Sequence, residues 1–321
     1  MYTPVVVALA AGTWDYVKNS GHFDTQNWDL DFLGFLPGKR ESRRMVGEYI
    51  LTQRDVSDGV VFPDEIAFGG WPLDDHFPGG FYHKGTPNTD IATPAPYSIP
   101  YRTLYSANVD NLFFAGRNIS VTHAALSSSR VMATCSILGQ ALGTAVAQAI
   151  KDNVILENVD IQKLQQTLMQ DDCYIPWQNR EISTLTKTAN CSNDTIRNGI
   201  DRGEDNCWIG KKGDHIEYTF STDTKISQIR LIFDSDLNRN YHNMPCNIPL
   251  VQNKFKLPKT LIREYRIEGI SENGEVFEIY INDNHQRFVK HSVDWCVKTV
   301  RFVPITTFGV EQFRLFDFEI N

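Results

Sequence analysis

The chain has 321 residues and a formal net charge of −8 at pH 7, with 41% hydrophobic and 12% aromatic residues. This length and composition predict a globular protein with room for two domains of ordinary size. The negative charge argues against nucleic acid as a partner, because contacts to phosphate groups need a basic face.

The six cysteines are scattered, without a Cys-x-x-Cys or a His-Glu-x-x-His motif. This pattern predicts neither a zinc site nor a disulfide framework. The first residues lack the basic segment of a secretory signal peptide. The compartment is therefore open, with a periplasmic or extracellular place favoured over a cytoplasmic one.

Near the start of the chain, Pro4 to Lys18 form a mostly apolar pattern that predicts one helix, whose alanines and valines suggest burial against a core. A short basic run follows and contains Arg43 and Arg44. Clustered arginines need anionic partners, which are either protein carboxylates such as Glu41 or a substrate.

A Gly-Gly-Trp-Pro turn at residues 69–72 is predicted to place Asp74 and His76 on a loop rather than in a strand. Histidine is the side chain most easily poised for proton transfer near neutral pH, so His76 is a candidate catalytic or substrate-orienting group. His123 is a second candidate, and each could instead be an ordinary surface histidine. Residues 79–100 are predicted to be a loop over the site.

The segment Asn108 to Ile150 is the most informative part of the chain. Leu112 to Phe114 predict a short buried strand that ends in a glycine turn, and Ser127 to Ser129 offer caps for a helix from near Arg130 to about Ile150. Glycines and alanines recur every four residues along this helix, so another backbone or a flat ligand can approach it. The N-terminus of such a helix favours negative charge.

Four motifs in this segment resemble the C-terminal flavin-binding part of bacterial FAD-dependent oxidoreductases: Phe-Ala-Gly-Arg at 114–117, Thr-His-x-Ala-Leu at 122–126, Arg-Val-Met-x-Thr at 130–134 and Gly-Gln-x-x-Gly-Thr at 139–144. Arg-Glu-Ser-Arg-Arg at 40–44 is also similar to that family. The resemblance implies FAD as cofactor and an α/β, glutathione-reductase-like fold, with the helix pointing at the pyrimidine edge of the flavin. It implies these flavin-holding residues: Gly116, Arg117, Arg130, Val131, Met132, Ala133, Gly139 and Gln140.

Two other interpretations of this helix stay open. Val131 to Ile150 carry no charge and contain Gly-x-x-x-Gly, as a transmembrane span would, although five polar residues spread around the helix argue against a span. A buried core helix without a ligand is the other alternative.

The family holds the FAD pyrophosphate with a Gly-x-Gly-x-x-Gly turn after its first strand, and this sequence has no such turn in a strand, turn and helix context. The chain therefore resembles the C-terminal part of a longer oxidoreductase. An N-terminal FAD-binding segment is expected as a partner, in the same chain or as a separate one, and this chain alone is not expected to retain FAD.

The remainder of the chain changes to strand periodicity, as in Ile229 to Phe233 and Phe277 to Ile281. The pattern predicts an all-β jelly-roll sandwich, which resembles the discoidin or galactose-binding-like fold. The predicted domains are residues 1–183, the oxidoreductase part, and residues 184–321, the sandwich.

The leading hypothesis is hydride transfer to flavin from a small molecule, with a carbohydrate-derived substrate as one candidate. His76 or His123 would act on its proton, and Arg43 or Arg44 would hold it. The alternative is a binding or structural module without a cofactor, in which residues 184–321 fold alone and bind a glycan or a protein surface.

Overall fold

The computed structural model describes residues 3–34, 38, 41, 43–94, 96–236 and 257–321. These residues form two compact units, residues 1–45 and residues 46–321. The helices are α1 (Thr3–Asn19), α2 (Gln53–Asp58), α3 (His123–Ser129), α4 (Met132–Asp152), α5 (Ile161–Gln170) and α6 (Thr184–Thr188). The strands are β1 (Glu65–Gly69), β2 (Leu73–His76), β3 (Asn88–Ile91), β4 (Tyr97–Pro100), β5 (Asn190–Cys191), β6 (Trp208–Gly210), β7 (Ile216–Phe233), β8 (Ile262–Ile270), β9 (Val276–Ile281), β10 (Phe288–Thr307) and β11 (Phe313–Ile320).

The first unit contains α1 and the segment after it. Lys18 at the end of the helix donates hydrogen bonds to the carbonyls of Thr25 (3.0 Å) and Gln26 (3.2 Å), so that the following segment folds back on the helix. The helix was predicted, but its predicted burial is wrong, since no side chain described in α1 is buried. Among the described residues of this unit, no second helix or strand accompanies α1, so its apolar side chains have no second layer to pack against.

The first hydrophobic core of the second unit lies under α4 and α5 and around the antiparallel pair β1–β4. Gly69 ends β1 opposite Tyr97, and a Cβ atom at Gly69 would lie 2.3 Å from the Tyr97 hydroxyl oxygen. The first glycine of the Gly-Gly-Trp-Pro motif is therefore required by this close approach. The Asp160 side chain caps α5 by accepting from the Lys163 N–H, and Leu164 and Leu168 on this helix are buried.

Several predicted boundaries in this region are wrong. Leu112 to Phe114 form no strand, and only Phe113 makes an isolated bridge, to Tyr105. Residues 79–100 contain β3 and β4 and are not one loop. The helix predicted from near Arg130 to about Ile150 is confirmed as α4, and a separate short helix, α3, precedes it.

The second core belongs to an antiparallel β-sandwich, which confirms the predicted fold. The strand order is β6-β11-β7-β10-β8-β9, with β5 paired to β7. The predicted strand segments all lie in strands, and Ile229, Leu231 and Phe233 are buried in β7. The long strands β7 and β10 pair along most of their length, with irregularities between Ser292 and Trp295 and between Val297 and Thr299.

The two cores consist of residues 51–175 and residues 189–320, and the boundary predicted at residue 183 stays a prediction. A buried ionic cluster lies between them. Arg230 of β7 donates to the Met169 and Gln170 carbonyls at the end of α5 (3.2 Å each) and to Asp317 of β11 at 2.5 Å. Arg180, from the segment between the cores, pairs with Asp317 and Glu319.

Asp201 completes the cluster by pairing with Arg180 (3.2 Å) and Arg230 (3.1 Å). The side chains of both arginines are 1% exposed. The cluster therefore joins the end of α5, the connecting segment and two sandwich strands inside the protein.

Candidate functional site

The hairpin formed by β2 and β3 carries the residues of the candidate site. Leu73, Asp74, Asp75 and His76 pair in register with Ile91, Asp90, Thr89 and Asn88. His76 and Asp74 therefore lie in a strand, and their predicted place on a loop is wrong. Since alternate side chains of a strand share a face, Asp74 and His76 lie on the same face of β2.

The Asp74 carboxylate is the centre of one polar cluster. Its Oδ1 accepts a hydrogen bond from Asn88 Nδ2 at 2.5 Å, and its Oδ2 lies 3.2 Å from His76 Nε2 and 3.3 Å from Arg130 Nη2. Arg130 Nη2 also donates to the Asp74 main-chain carbonyl at 2.8 Å. The cluster thus ties His76 to the junction between α3 and α4.

The electrostatics of this cluster keep Asp74 ionised. Burial alone would raise its pKa, but the hydrogen bond from Asn88 and the charges of His76 and Arg130 outweigh burial, so the pKa of Asp74 is lowered. The His76 side chain is 47% exposed and that of Arg130 is 15% exposed. A histidine that solvent can reach is therefore held by a carboxylate that stays charged.

A second histidine pair lies on the same hairpin. His123 Nε2 lies 2.8 Å from Asp75 Oδ1, and both side chains are about half exposed. His123 begins α3, where the Thr122 side chain accepts from the Ala125 N–H as the N-cap. Because Asp75 follows Asp74 in the strand, the two pairs lie on opposite faces of β2.

Helix α3 fastens this hairpin to the first core. Ser128 donates to the Trp71 carbonyl and lies 2.7 Å from the Tyr97 hydroxyl oxygen. Burial raises the pKa of Tyr97 to about 12. Ser127 to Ser129 are buried within α3, so their predicted role as caps of the next helix is wrong.

The start of α4 has the properties that the flavin end of FAD would need. Its N-cap, Val131, makes no side-chain capping bond, and Met132 in the first turn is 89% exposed. The first N–H groups of a helix carry the positive end of its dipole, which favours an anionic edge. The buried Ser129 hydroxyl, three residues before α4, has no hydrogen-bond partner among the described residues.

The glycine face of α4 is open. Gly139, Gln140 and Gly143 are exposed, and no described atom lies within 4 Å of a Cβ placed at either glycine. Gly116, with φ of 95°, occupies the left-handed region in the turn that precedes α3. These residues fit a flat group laid on the helix, while the described residues include no Gly-x-Gly-x-x-Gly turn for a pyrophosphate.

Three further basic residues were predicted from the sequence to be site residues. Arg43 and Arg44 belong to the other compact unit, where Arg44 pairs with Glu41, the carboxylate that the sequence offers as its alternative partner. Their predicted substrate contacts stay a prediction. Arg117 follows the Gly116 turn. Burial raises the pKa of the Cys135 thiol, and the positive charge of Arg117 offsets part of this increase.

Helix α4 is the one helix among the described residues that is long and apolar enough to cross a membrane by length and composition. About a third of its most apolar stretch is buried, including Leu138, Ala141 and Ala145. A core helix of a soluble protein passes the same test, so this is weak evidence for a span.

Comparison with known proteins identifies the first part of the chain. A sequence profile described as FAD dependent oxidoreductase matches residues 5–168, about half of the chain. The chain belongs to this family. The matched range contains both histidine pairs of the oxidoreductase part, the Gly116 turn and the whole of α4.

No curated protein matches the sequence. Among solved structures, the chain is similar to the family 32 carbohydrate-binding module of EndoD from Streptococcus pneumoniae, with 8% identity over 43% of this chain and 99% of that one and a TM-score of 0.32. It is also similar to chitosan-binding module 1 of a chitosanase/glucanase from Paenibacillus sp. IK-5, with 12% identity over 43% and 96% and a TM-score of 0.29.

Two features of the candidate site were not predicted from the sequence. One is the role of Asn88, which lies in the segment that was predicted to be a loop and is 14 residues from Asp74. The other is the pairing of Asp75 with His123 across 48 residues. The available signal was the alternation Asp74, Asp75, His76, which is compatible with a strand carrying polar groups on both faces.

Proposed function

We propose that this FAD-dependent oxidoreductase oxidises an alcohol, with His76 accepting the hydroxyl proton while hydride leaves the neighbouring carbon. The supporting observation is the Asp74 carboxylate, which holds both His76 and Arg130, two residues before α4. Hydride can leave an alcohol carbon only if the hydroxyl proton also leaves, and a placed histidine typically contributes 10²- to 10⁴-fold to such a step. His123 on the opposite face of β2 would orient the substrate.

When bound, FAD would supply the two-electron acceptor for the hydride. The first turn of α4 would favour negative charge at the flavin edge, and Gly139 would leave room for a flat ring system. The residues proposed to hold it are Gly116, Arg117, Arg130, Val131, Met132, Ala133, Gly139 and Gln140. We further propose that a dinucleotide-binding segment, in the same chain or a separate one, covers the exposed face of α4, where Met132 and Ile150 are 89% and 76% exposed.

The charges of the hairpin favour a neutral, hydroxyl-rich substrate. Asp74, Asp75 and Asp90 contribute three carboxylates to β2 and β3, against one guanidinium, that of Arg130. A phosphate or carboxylate on the substrate would meet like charge here, whereas hydroxyl groups can donate to carboxylates. A carbohydrate-derived alcohol fits this donor set.

The test is flavin content in the protein co-expressed with a dinucleotide-binding segment. We expect a yellow protein with visible flavin absorption bands, and loss of those bands in Gly139→Trp because the indole would fill the open helix face. Lys151→Trp, at an exposed position in the last turn of α4, is the control and should stay yellow. A colourless protein from the intact pair would refute the proposal.

The substrate class is tested on the same yellow protein. Neutral probes such as D-galactose and D-glucose should bleach the flavin bands faster than their 1-phosphates at equal concentration. Faster bleaching by the phosphates would show that the hairpin selects anions instead.

A further inference from the structure

Asp74 makes more hydrogen bonds than are needed to hold one histidine. Both carboxylate oxygens are occupied, Oδ1 by Asn88 and Oδ2 by His76 and Arg130, and the main-chain carbonyl of the same residue holds Arg130 as well. Asp74 therefore cannot rotate without breaking several contacts. In the second pair the Asp75 side chain is 43% exposed, whereas that of Asp74 is 25% exposed.

The contact between Asp74 and His76 decides which ring nitrogen of His76 carries a proton. An ionised carboxylate only accepts hydrogen bonds, so Nε2, 3.2 Å from Asp74 Oδ2, must be the N–H donor. In a neutral imidazole the other nitrogen then has the free lone pair. This nitrogen, Nδ1, is the basic atom of the ring.

We propose that Asp74 is the positioning residue for His76, and that Asp74 directs proton acceptance to Nδ1 of His76. This inference rests on the proposed function. In the reaction the O–H bond of the alcohol would break and its proton would form a bond to Nδ1, while the C–H bond would release hydride, for which bound FAD would supply the two-electron acceptor. The alcohol carbon becomes a carbonyl, and Asp74 stabilises the imidazolium without taking the proton itself. Asn88 and Arg130 hold the carboxylate in place for this role.

The first test uses the chain as it is and requires no flavin. Nitrogen-15 NMR should show His76, assigned by its loss in His76→Gln, as the Nε2–H tautomer with a downfield ring proton slowed in exchange with water. Asp74→Ala should lose that protected proton, and Asp74→Glu, which restores a carboxylate, should recover it in part. Asp58→Asn, in the exposed ion pair with Arg54 on α2, is the control and should leave the His76 signals unchanged.

An Nδ1–H tautomer in the unaltered protein, or the same protected proton in Asp74→Ala, would overturn the inference.

The second test uses the flavin-loaded protein with the sugar that bleaches it. Asp74→Asn should slow bleaching about 10²-fold with unchanged flavin content, within the range that a placed acid or base contributes. An unchanged bleaching rate would refute the positioning role. Failure to bind flavin would leave the NMR result standing, so the two proposals fail separately.

Discussion

The protein contains two clusters of arginine and carboxylate groups that differ in burial. The cluster around Asp317 joins the two cores, and the side chains of Arg180, Arg230 and Asp317 are each 1% exposed. The cluster around Asp74 contains His76, whose side chain is 47% exposed. The same kinds of group are therefore buried between the cores in one cluster and partly exposed to solvent in the other.

The pKa of the central carboxylate is shifted in opposite directions in the two clusters. Burial raises the pKa of Asp317 to about 7, and the lowering by Arg180 and Arg230 is opposed by the nearby carboxylates of Asp201 and Glu319. In the Asp74 cluster, by contrast, the pKa is lowered. Burial therefore outweighs the arginine charges at Asp317, whereas a hydrogen bond and nearby positive charge outweigh burial at Asp74.

Removing the connecting segment should have the largest effect. The fragment 184–321 lacks both Arg180 and the end of α5, so Glu319 loses Arg180 and Asp317 keeps Arg230 alone of its two arginine partners. We expect it to show no cooperative unfolding transition in urea, whereas the fragment 176–321, which keeps Arg180, should regain one. A stable fragment 184–321 would instead favour the alternative of an independent binding module.

The second largest effect on stability is expected from a single substitution in the buried cluster. Arg230→Met keeps most of the side-chain volume but leaves Asp317 with one partner fewer, and breaking a buried pair in this way costs about 3–5 kcal/mol. Equilibrium urea unfolding of the full chain measures this loss. Arg263→Met, in the half-exposed pair with Asp283, is the matched control and should change the free energy of unfolding by about 0–1 kcal/mol.

The raised pKa of Asp317 should be visible in the pH dependence of stability. Its pKa is raised to about 7 in the folded protein, whereas an unfolded aspartate titrates near 4. The folded state thus keeps a proton that the unfolded state has lost between about pH 4 and about pH 7, so this group's contribution to stability falls as pH rises through that window. The difference in urea stability between the natural protein and Asp317→Asn should shrink by about 1–4 kcal/mol from about pH 5 to about pH 8. A constant difference would contradict the raised pKa.

The smallest effect is expected on the open face of α4. Gly139→Ala adds a methyl group where no described atom lies within 4 Å, and alanine is favoured over glycine inside a helix by about 1 kcal/mol. The variant should therefore raise the thermal midpoint slightly. A lower midpoint would show that the glycine is needed for the fold itself and is not kept for a ligand or a covering segment.

Local patterns predicted the elements better than they predicted the contacts. The alternation in β7 correctly indicates a strand, yet it places Arg230 on a polar face, and the structure buries it. The reason is that the end of α5 covers that face and offers the Met169 and Gln170 carbonyls, about 60 residues away in the chain. The sandwich fold follows from periodicity, while the cluster between the cores depends on packing that no local pattern records.

The candidate site shows the same limit. His76 and Arg130 were predicted as site residues from local motifs, and the structure brings both to one carboxylate. The hairpin that does so pairs Asp74 with Asp90 and His76 with Asn88, a register set by strand pairing rather than by neighbouring residues. Likewise, three consecutive serines suggest a helix cap, but in the structure Ser127 to Ser129 are buried residues at the end of α3.

The interlocked charges between the cores also constrain how the protein can change over evolutionary time. Loss of Arg180 alone leaves Asp317 with Arg230 and takes the arginine partner from Glu319, and loss of Asp317 alone removes one carboxylate partner from both Arg180 and Arg230. Each single step passes through a poorly folding intermediate, so positions 180, 230, 317 and 319 should be inherited as a set. A lineage that exchanged the β-sandwich for another domain would also have to replace this buried ionic cluster.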